Sequence, residues 1–155
     1  MKKIVVMTLV AGMISAFTAK YEPAEPVDAR VIAGYTIREN IVSLTDYNLW
    51  VMTNAAAFDQ LFIPGTTGAA RPDFDNEVVL AAKVQTWSNS YTVKYLKSVR
   101  KGDELNFYFT VEPGTAKRMG NSVLVASFSR NPEIKKVNFY HGDMLVRSIP
   151  IVNVY

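Results

Sequence analysis

The stretch Glu104–Glu112, ELNFYFTVE, alternates apolar and polar residues without a break. On an extended chain Leu105, Phe107, Phe109 and Val111 point one way, and Asn106, Tyr108 and Thr110 point the other. A period of two marks a strand with one face in a core, because successive Cβ atoms leave opposite sides of the pleat. Large apolar side chains on a single face need a second layer to cover them. Gly102-Asp103 stands just before the stretch, and a second Gly-Asp pair stands at Gly142-Asp143. Both suit tight hairpin turns, since glycine accepts positive φ.

Outward from this strand, runs of Val, Ile, Tyr and Phe recur from Val31 onward with turn residues between them. The spacing predicts strands near Val31–Arg38, Asn48–Met52, Val78–Trp87, Tyr91–Val99, Leu105–Glu112, Val123–Ser129, Lys136–Tyr140 and Met144–Val154. One segment departs from this rhythm. TNAAAFDQLF, Thr53–Phe62, has a capping candidate in Thr53 or Asn54 and places Ala57, Phe58, Leu61 and Phe62 on one helical face. Pro64-Gly65 is expected to end it, and a polar loop, Gly65–Asn76, follows. A helix this short is stable only when it lies on something. The fold class expected is α+β, mostly antiparallel β-sheet, sandwich- or barrel-like, with one short amphipathic helix packed on it. No internal repeat or low-complexity segment stands out.

The N-terminus reads as a secretory signal peptide. Lys2 and Lys3 precede an apolar run from Ile4 to about Phe17, then small residues. The run is too short, and too rich in Gly, Ser and Thr, for a membrane span. Cleavage is placed after Ala19; Phe17 is a poor residue three before the cut, so an uncleaved anchor is the alternative reading, and a buried first strand a further one. The organisation expected is a signal peptide over 1–19, an extended Pro-rich linker over 20–30 and one β-rich domain over 31–155. The destination is periplasmic or extracellular. Cysteine is absent, which removes disulfides, thiol nucleophiles, thiolate metal sites and the lipid-anchoring cysteine of bacterial lipoproteins.

The whole chain carries 17 basic and 14 acidic residues. Without Lys2 and Lys3 the balance falls to +1, so the basic pI is partly a property of the leader and does not indicate nucleic-acid binding. The remaining charge is uneven: residues 20–77 hold four basic and nine acidic side chains, residues 78–155 eleven and five.

Chemistry-bearing motifs are scarce. The one histidine, His141, lies in YHGDM and reads as a solvated turn residue. No G-x-S-x-G elbow or phosphate loop is present. Asp73, Asp75 and Glu77 alternate in PDFDNE but lack the spacing of a calcium loop, and read as a charged loop entering a strand. No cofactor or metal is expected. Lys94, Lys97, Arg100 and Lys101 form the densest basic run. On an unbroken strand Lys94 and Arg100 share one face, and Lys97 and Lys101 the other. Such a run suits an acidic partner, or protects an edge strand from pairing. The polar knot Ser88-Asn89-Ser90 sits between Trp87 and Tyr91. As a hairpin loop it brings the two rings together, either to cover the rim of the core or to grip a partner. The partner contacts expected are Trp87, Ser88, Asn89, Ser90, Tyr91 and Lys94.

The order of features from Leu49 to Tyr155, and most closely from Leu49 to Tyr95, resembles the C-terminal domain of PrcB-type protease-complex subunits. A strand runs into the NAAAF..LF helix, a Gly/Pro loop ends in Pro72-Asp73-Phe74, the strand Val78-Val79-Leu80-Ala81 follows, and a polar turn leads to Tyr91-Thr92-Val93. The family's Thr-Gly-Gly-Tyr turn is replaced here by Ser88-Asn89-Ser90-Tyr91. This puts in doubt any role that rests on a glycine backbone meeting a partner. The resemblance implies no catalytic residues. It implies an accessory role beside a secreted protease. The reading is a secreted, non-catalytic protein-interaction module whose partner is another secreted protein, a protease by the resemblance, with no nucleic acid and no membrane span after cleavage. A carbohydrate or small-ligand module using Trp87, Tyr91 and Trp50 is the alternative, and a hydrolase a third.

Overall fold

The computed structural model describes residues 22–39, 41, 45–65, 69–85, 91–114 and 122–152. The chain enters through two short strands, β1 (Glu25–Pro26) and β2 (Ala29–Val31), then forms β3 (Tyr35–Ile37) and β4 (Tyr47–Met52). The helix α1 (Ala55–Leu61) leads directly into β5 (Phe62–Pro64). Six longer strands follow: β6 (Glu77–Val84), β7 (Tyr91–Lys101), β8 (Glu104–Pro113), β9 (Val123–Ser129), β10 (Lys136–His141) and β11 (Met144–Pro150).

These strands build a five-stranded sheet, β1-β7-β8-β10-β11, a four-stranded sheet, β2-β9-β6-β4, and a small pair, β3-β5. Every pairing is antiparallel except β8 with β10. The exception follows from connectivity, because β9 lies between these strands in sequence but in the opposite sheet. The α+β, mostly antiparallel expectation holds.

Two cores result. Between the large sheets lie Leu105, Phe107 and Phe109 of β8, Val137 and Phe139 of β10, and Val78, Leu80, Leu124 and Phe128 of the four-stranded sheet. On that sheet's far side, Val79, Ala81, Val125 and Met52 pack against Phe58, Phe62 and Ile37 of the helix and small sheet. Strands β6 and β9 are therefore buried on both faces, which is why EVVLAAKV and VLVASFS read as continuous apolar runs.

Asn54 caps the helix: its side chain accepts a hydrogen bond from the Ala57 amide at 2.8 Å. Phe58 is 1% exposed and touches Tyr35, Phe62 and Phe74 edge-on or tilted. The helix ends before Pro64. Phe62 turns extended and starts β5, because pairing with β3 satisfies its backbone and keeps its ring in the core.

Several expectations need correction. The segment read as an extended linker joins the fold: β1 pairs with β7 at Arg100 and Val99, and β2 pairs with β9. It crosses from one large sheet to the other and closes that side of the sandwich. The strand expected over Val31–Arg38 is split by Gly34, whose φ of 84° turns the chain from the four-stranded sheet toward the helix layer. Gly102 and Gly142 do sit in two-residue hairpin turns, with φ of 61° and 58°.

The expected leader and its cleavage point lie outside the described residues. Among the described residues no helix is long and apolar enough to cross a membrane.

Candidate functional site

Strands β8 and β10 lie parallel and in register over six residues: Glu104 beside Lys136, Leu105 beside Val137, Asn106 beside Asn138, Phe107 beside Phe139, Tyr108 beside Tyr140, and Phe109 beside His141. The sequences are ELNFYF and KVNFYH. Asn-Phe-Tyr occurs twice, and the copies stand side by side. A shared tripeptide is not a repeated structural unit. The motif is only three residues long, and its meaning depends on a parallel pairing that hydrophobic periodicity does not reveal.

Alternation divides each rung between two faces. The inner rungs are Leu105–Val137 and Phe107–Phe139, the latter rings 5.7 Å apart and T-shaped. The last inner rung is Phe109–His141, stacked at 5.5 Å with planes 5° apart. His141 is thus the end of a strand, half-buried, with Nδ1 2.8 Å from the Tyr47 hydroxyl. The sequence suggested a solvated turn. The turn begins one residue later, and the ring is held by its neighbours.

The outer rungs face away from the core. Lys136 Nζ lies 2.6 Å from Glu104 Oε1. The Asn138 amide donates to Glu104 Oε2 at 2.6 Å and to Asn106 Oδ1 at 2.9 Å, and its own oxygen accepts from Ser148 Oγ at 2.6 Å. Asn138 is walled in by these partners and is only 5% exposed. Hydrogen bonds from Lys136 first, then Asn138, hold the Glu104 carboxyl below its ordinary range, and the same contact raises Lys136. Both groups therefore stay charged at neutral pH.

One rung further, Tyr108 and Tyr140 stack at 4.7 Å with planes 15° apart. On the β7 side the Lys97 ammonium sits 4.7 Å from the Tyr108 ring centre. Leu145 of β11 pairs with Tyr140 on the other side. A band of Lys97, Tyr108, Tyr140 and Leu145 thus crosses four strands. Leu145, and Leu96 at the bulge of β7, are each 51% exposed. No described element lies over this face.

The bulge in β7 decides which residues reach it. Tyr95 pairs with Phe109, but Lys97 pairs with Tyr108, so Leu96 is an extra residue. The phase shifts there. Lys94, Lys97 and Lys101 all point outward, while Arg100 opposes the buried Leu105 and pairs with Glu133 at 2.5 Å. The faces expected for an unbroken strand are corrected by that one inserted residue.

Of the contact residues expected from the sequence, Trp87, Ser88, Asn89 and Ser90 lie outside the described residues. Tyr91 opens β7 opposite Pro113, and Lys94 points outward, 2.5 Å from Glu112. The hairpin suggested for this stretch is not formed: β6 belongs to the four-stranded sheet and β7 to the five-stranded one. Trp50 packs against the core under the helix.

The acidic loop is occupied by protein donors. Asp73 accepts from the Asp75 amide at 3.2 Å and the Asn76 side chain at 2.8 Å. Glu77 accepts from both Arg30 and Ser127 at 2.9 Å, and from the Asp73 amide at 2.8 Å. Among the described residues no group of three potential metal ligands converges.

No family of proteins, curated protein or solved structure matches the chain.

Proposed function

We propose that the chain is a secreted, non-catalytic interaction module that binds another protein through the outer face of its five-stranded sheet. The observation that carries this reading is the band from Lys97 through the half-buried Tyr108 and Tyr140 to the exposed Leu145, on a face that no described element covers. Sheet faces without a covering layer ordinarily carry scattered polar residues. Contiguous tyrosine and aliphatic surface is the composition of interface cores. The leader-like N-terminus supports secretion, and the resemblance to PrcB-type subunits supports a secreted protease as the partner.

A sugar platform is less well supported. Stacking a pyranose requires an open ring face, and Tyr108 has Tyr140 on one side and the Lys97 ammonium on the other. What this band offers outward is ring edges and hydroxyls, which suit a protein surface.

The test is a double substitution, Tyr108→Ser with Tyr140→Ser, which leaves Phe107 and Phe139 in the core. The immobilised chain is exposed to the secreted fraction of its producing organism, and bound protein is quantified beside a thermal melt. Recovery is expected to fall while the melt changes little. Undiminished recovery overturns the proposal.

A further inference from the structure

We infer that the protein surface this face takes is acidic, an inference that rests on the reading of the face as a binding surface. The outward positions of the five-stranded sheet carry four lysines, Lys94, Lys97, Lys101 and Lys136, against two glutamates, Glu104 and Glu112. Both glutamates are answered within the face, by Lys136 at 2.6 Å and Lys94 at 2.5 Å. Lys97 and Lys101 remain in excess. They lie on the same face of β7 with Val99 between them, Lys97 opposite Tyr108 and Lys101 opposite Glu104.

Most of the acidic first half lies away from this excess, apart from Glu22 and Glu25, which sit at the β1 edge beside Arg100 and Gly102. The basic second half of the chain supplies four of the five strands in this sheet. The acidic first half supplies the helix layer on the opposite side, with Glu39, Asp59, Asp73 and Asp75 against Arg38 and Arg71. Lys97 is also placed in advance. Its ammonium rests on the Tyr108 ring, so a carboxylate arriving over the tyrosines meets a cation already in position. An acidic surface with its own aromatic or aliphatic groups matches both the charge and the band.

The experiment uses the full chain and three labelled probes, read by fluorescence polarisation: a random Glu/Tyr copolymer, a Lys/Tyr copolymer and heparin. The Glu/Tyr probe is expected to bind, and the Lys/Tyr probe to bind at least about tenfold more weakly. Raising salt from about 50 to about 200 mM is expected to weaken Glu/Tyr binding, because screening shortens the reach of exposed charge. Lys97→Glu with Lys101→Glu is expected to weaken it about tenfold with the melt unchanged, and Tyr108→Ser to weaken it as well. Equal binding of both copolymers, still lowered by Tyr108→Ser, overturns the acidic preference and leaves the binding face standing. Heparin binding as tight as Glu/Tyr and indifferent to Tyr108→Ser overturns the inference in favour of a general polyanion surface. No binding of any probe overturns it as well. So does a mass that grows with concentration in sedimentation and is abolished by the lysine substitutions, since the occupant is then a second copy presenting its acidic helix layer.

Discussion

The Tyr47 hydroxyl and Nδ1 of His141 lie 2.8 Å apart, and this one bond joins the edge strand of the four-stranded sheet to the last rung of the parallel ladder. The Tyr47 ring also meets Phe109 edge-on at 6.3 Å. The side of the sandwich away from the N-terminal crossing is fastened here.

Tyr47→Phe keeps the ring and removes the bond. A part-buried hydrogen bond contributes about 0.5–1.5 kcal/mol net, so urea denaturation is expected to show a loss of about 1 kcal/mol. Amide exchange should quicken in β4 and at the His141 end of β10 before the rest of the fold. A variant with unaltered stability and exchange would mean that the two edges are held by packing alone.

Phe58→Ala tests the helix layer. The ring is almost wholly buried among Tyr35, Phe62 and Phe74. Truncating a buried phenylalanine costs about 3–5 kcal/mol through lost transfer energy and the cavity left behind. A loss well under 1 kcal/mol, measured by chemical denaturation, would contradict the packing described for this layer.

Glu77→Gln tests acid stability. Burial pushes this carboxyl up, but hydrogen bonds from the Asp73 amide, Arg30 and Ser127 outweigh it and leave its pKa lowered in the folded protein. A lowered folded pKa means the charged carboxylate stabilises the fold above its unfolded value, about 4. That stability is lost as pH falls through the lower folded value. The Gln variant should therefore be weaker at pH 7 by about 1–3 kcal/mol, and the gap should close as pH drops below about 4. Parallel pH profiles for the two proteins would refute this account.

Asn138→Asp inverts the sign. Its new carboxylate replaces an amide that donates to Glu104 at 2.6 Å. Two carboxylates in contact raise one another's pKa, so the variant is expected to lose about 1–3 kcal/mol at neutral pH and to recover part of it on acidification. Asn138→Ala, which cannot titrate, should show no recovery. Thermal melts across the pH range distinguish them.

Much of the fold is legible in the residues, for physical reasons that differ by element. ELNFYFTVE shows its inner face because β8 is buried on one side only. β6 and β9, buried on both sides, show only that they are strands. The helix is visible through its cap and the spacing of Phe58 and Leu61, but not its early end, since Phe62 serves helix face and strand alike. Glu25-Pro26 looked like linker because a two-residue strand has no period to detect. The outer face of the five-stranded sheet was the least legible part. Tyr108 could be seen to point away from the core, yet its partner Tyr140 lies in a strand that only the parallel pairing brings alongside. The inserted Leu96, which sends Lys97 outward, has no composition of its own to announce it.

The parallel ladder is one of the distant pairings that slow a chain's approach to its native state. Asn106 and Asn138 stand 32 positions apart in sequence, and the chain between them must first place β9 in the opposite sheet. The two Asn-Phe-Tyr strands therefore cannot zip together by local diffusion. They must wait for a loop closure whose entropy is repaid only when the sandwich is nearly assembled. Chains dominated by such distant pairings fold in about milliseconds to seconds. During that interval Tyr108 and Tyr140 are present but not yet stacked. A partner that recognised the finished band would meet only chains in which β8 and β10 have already paired.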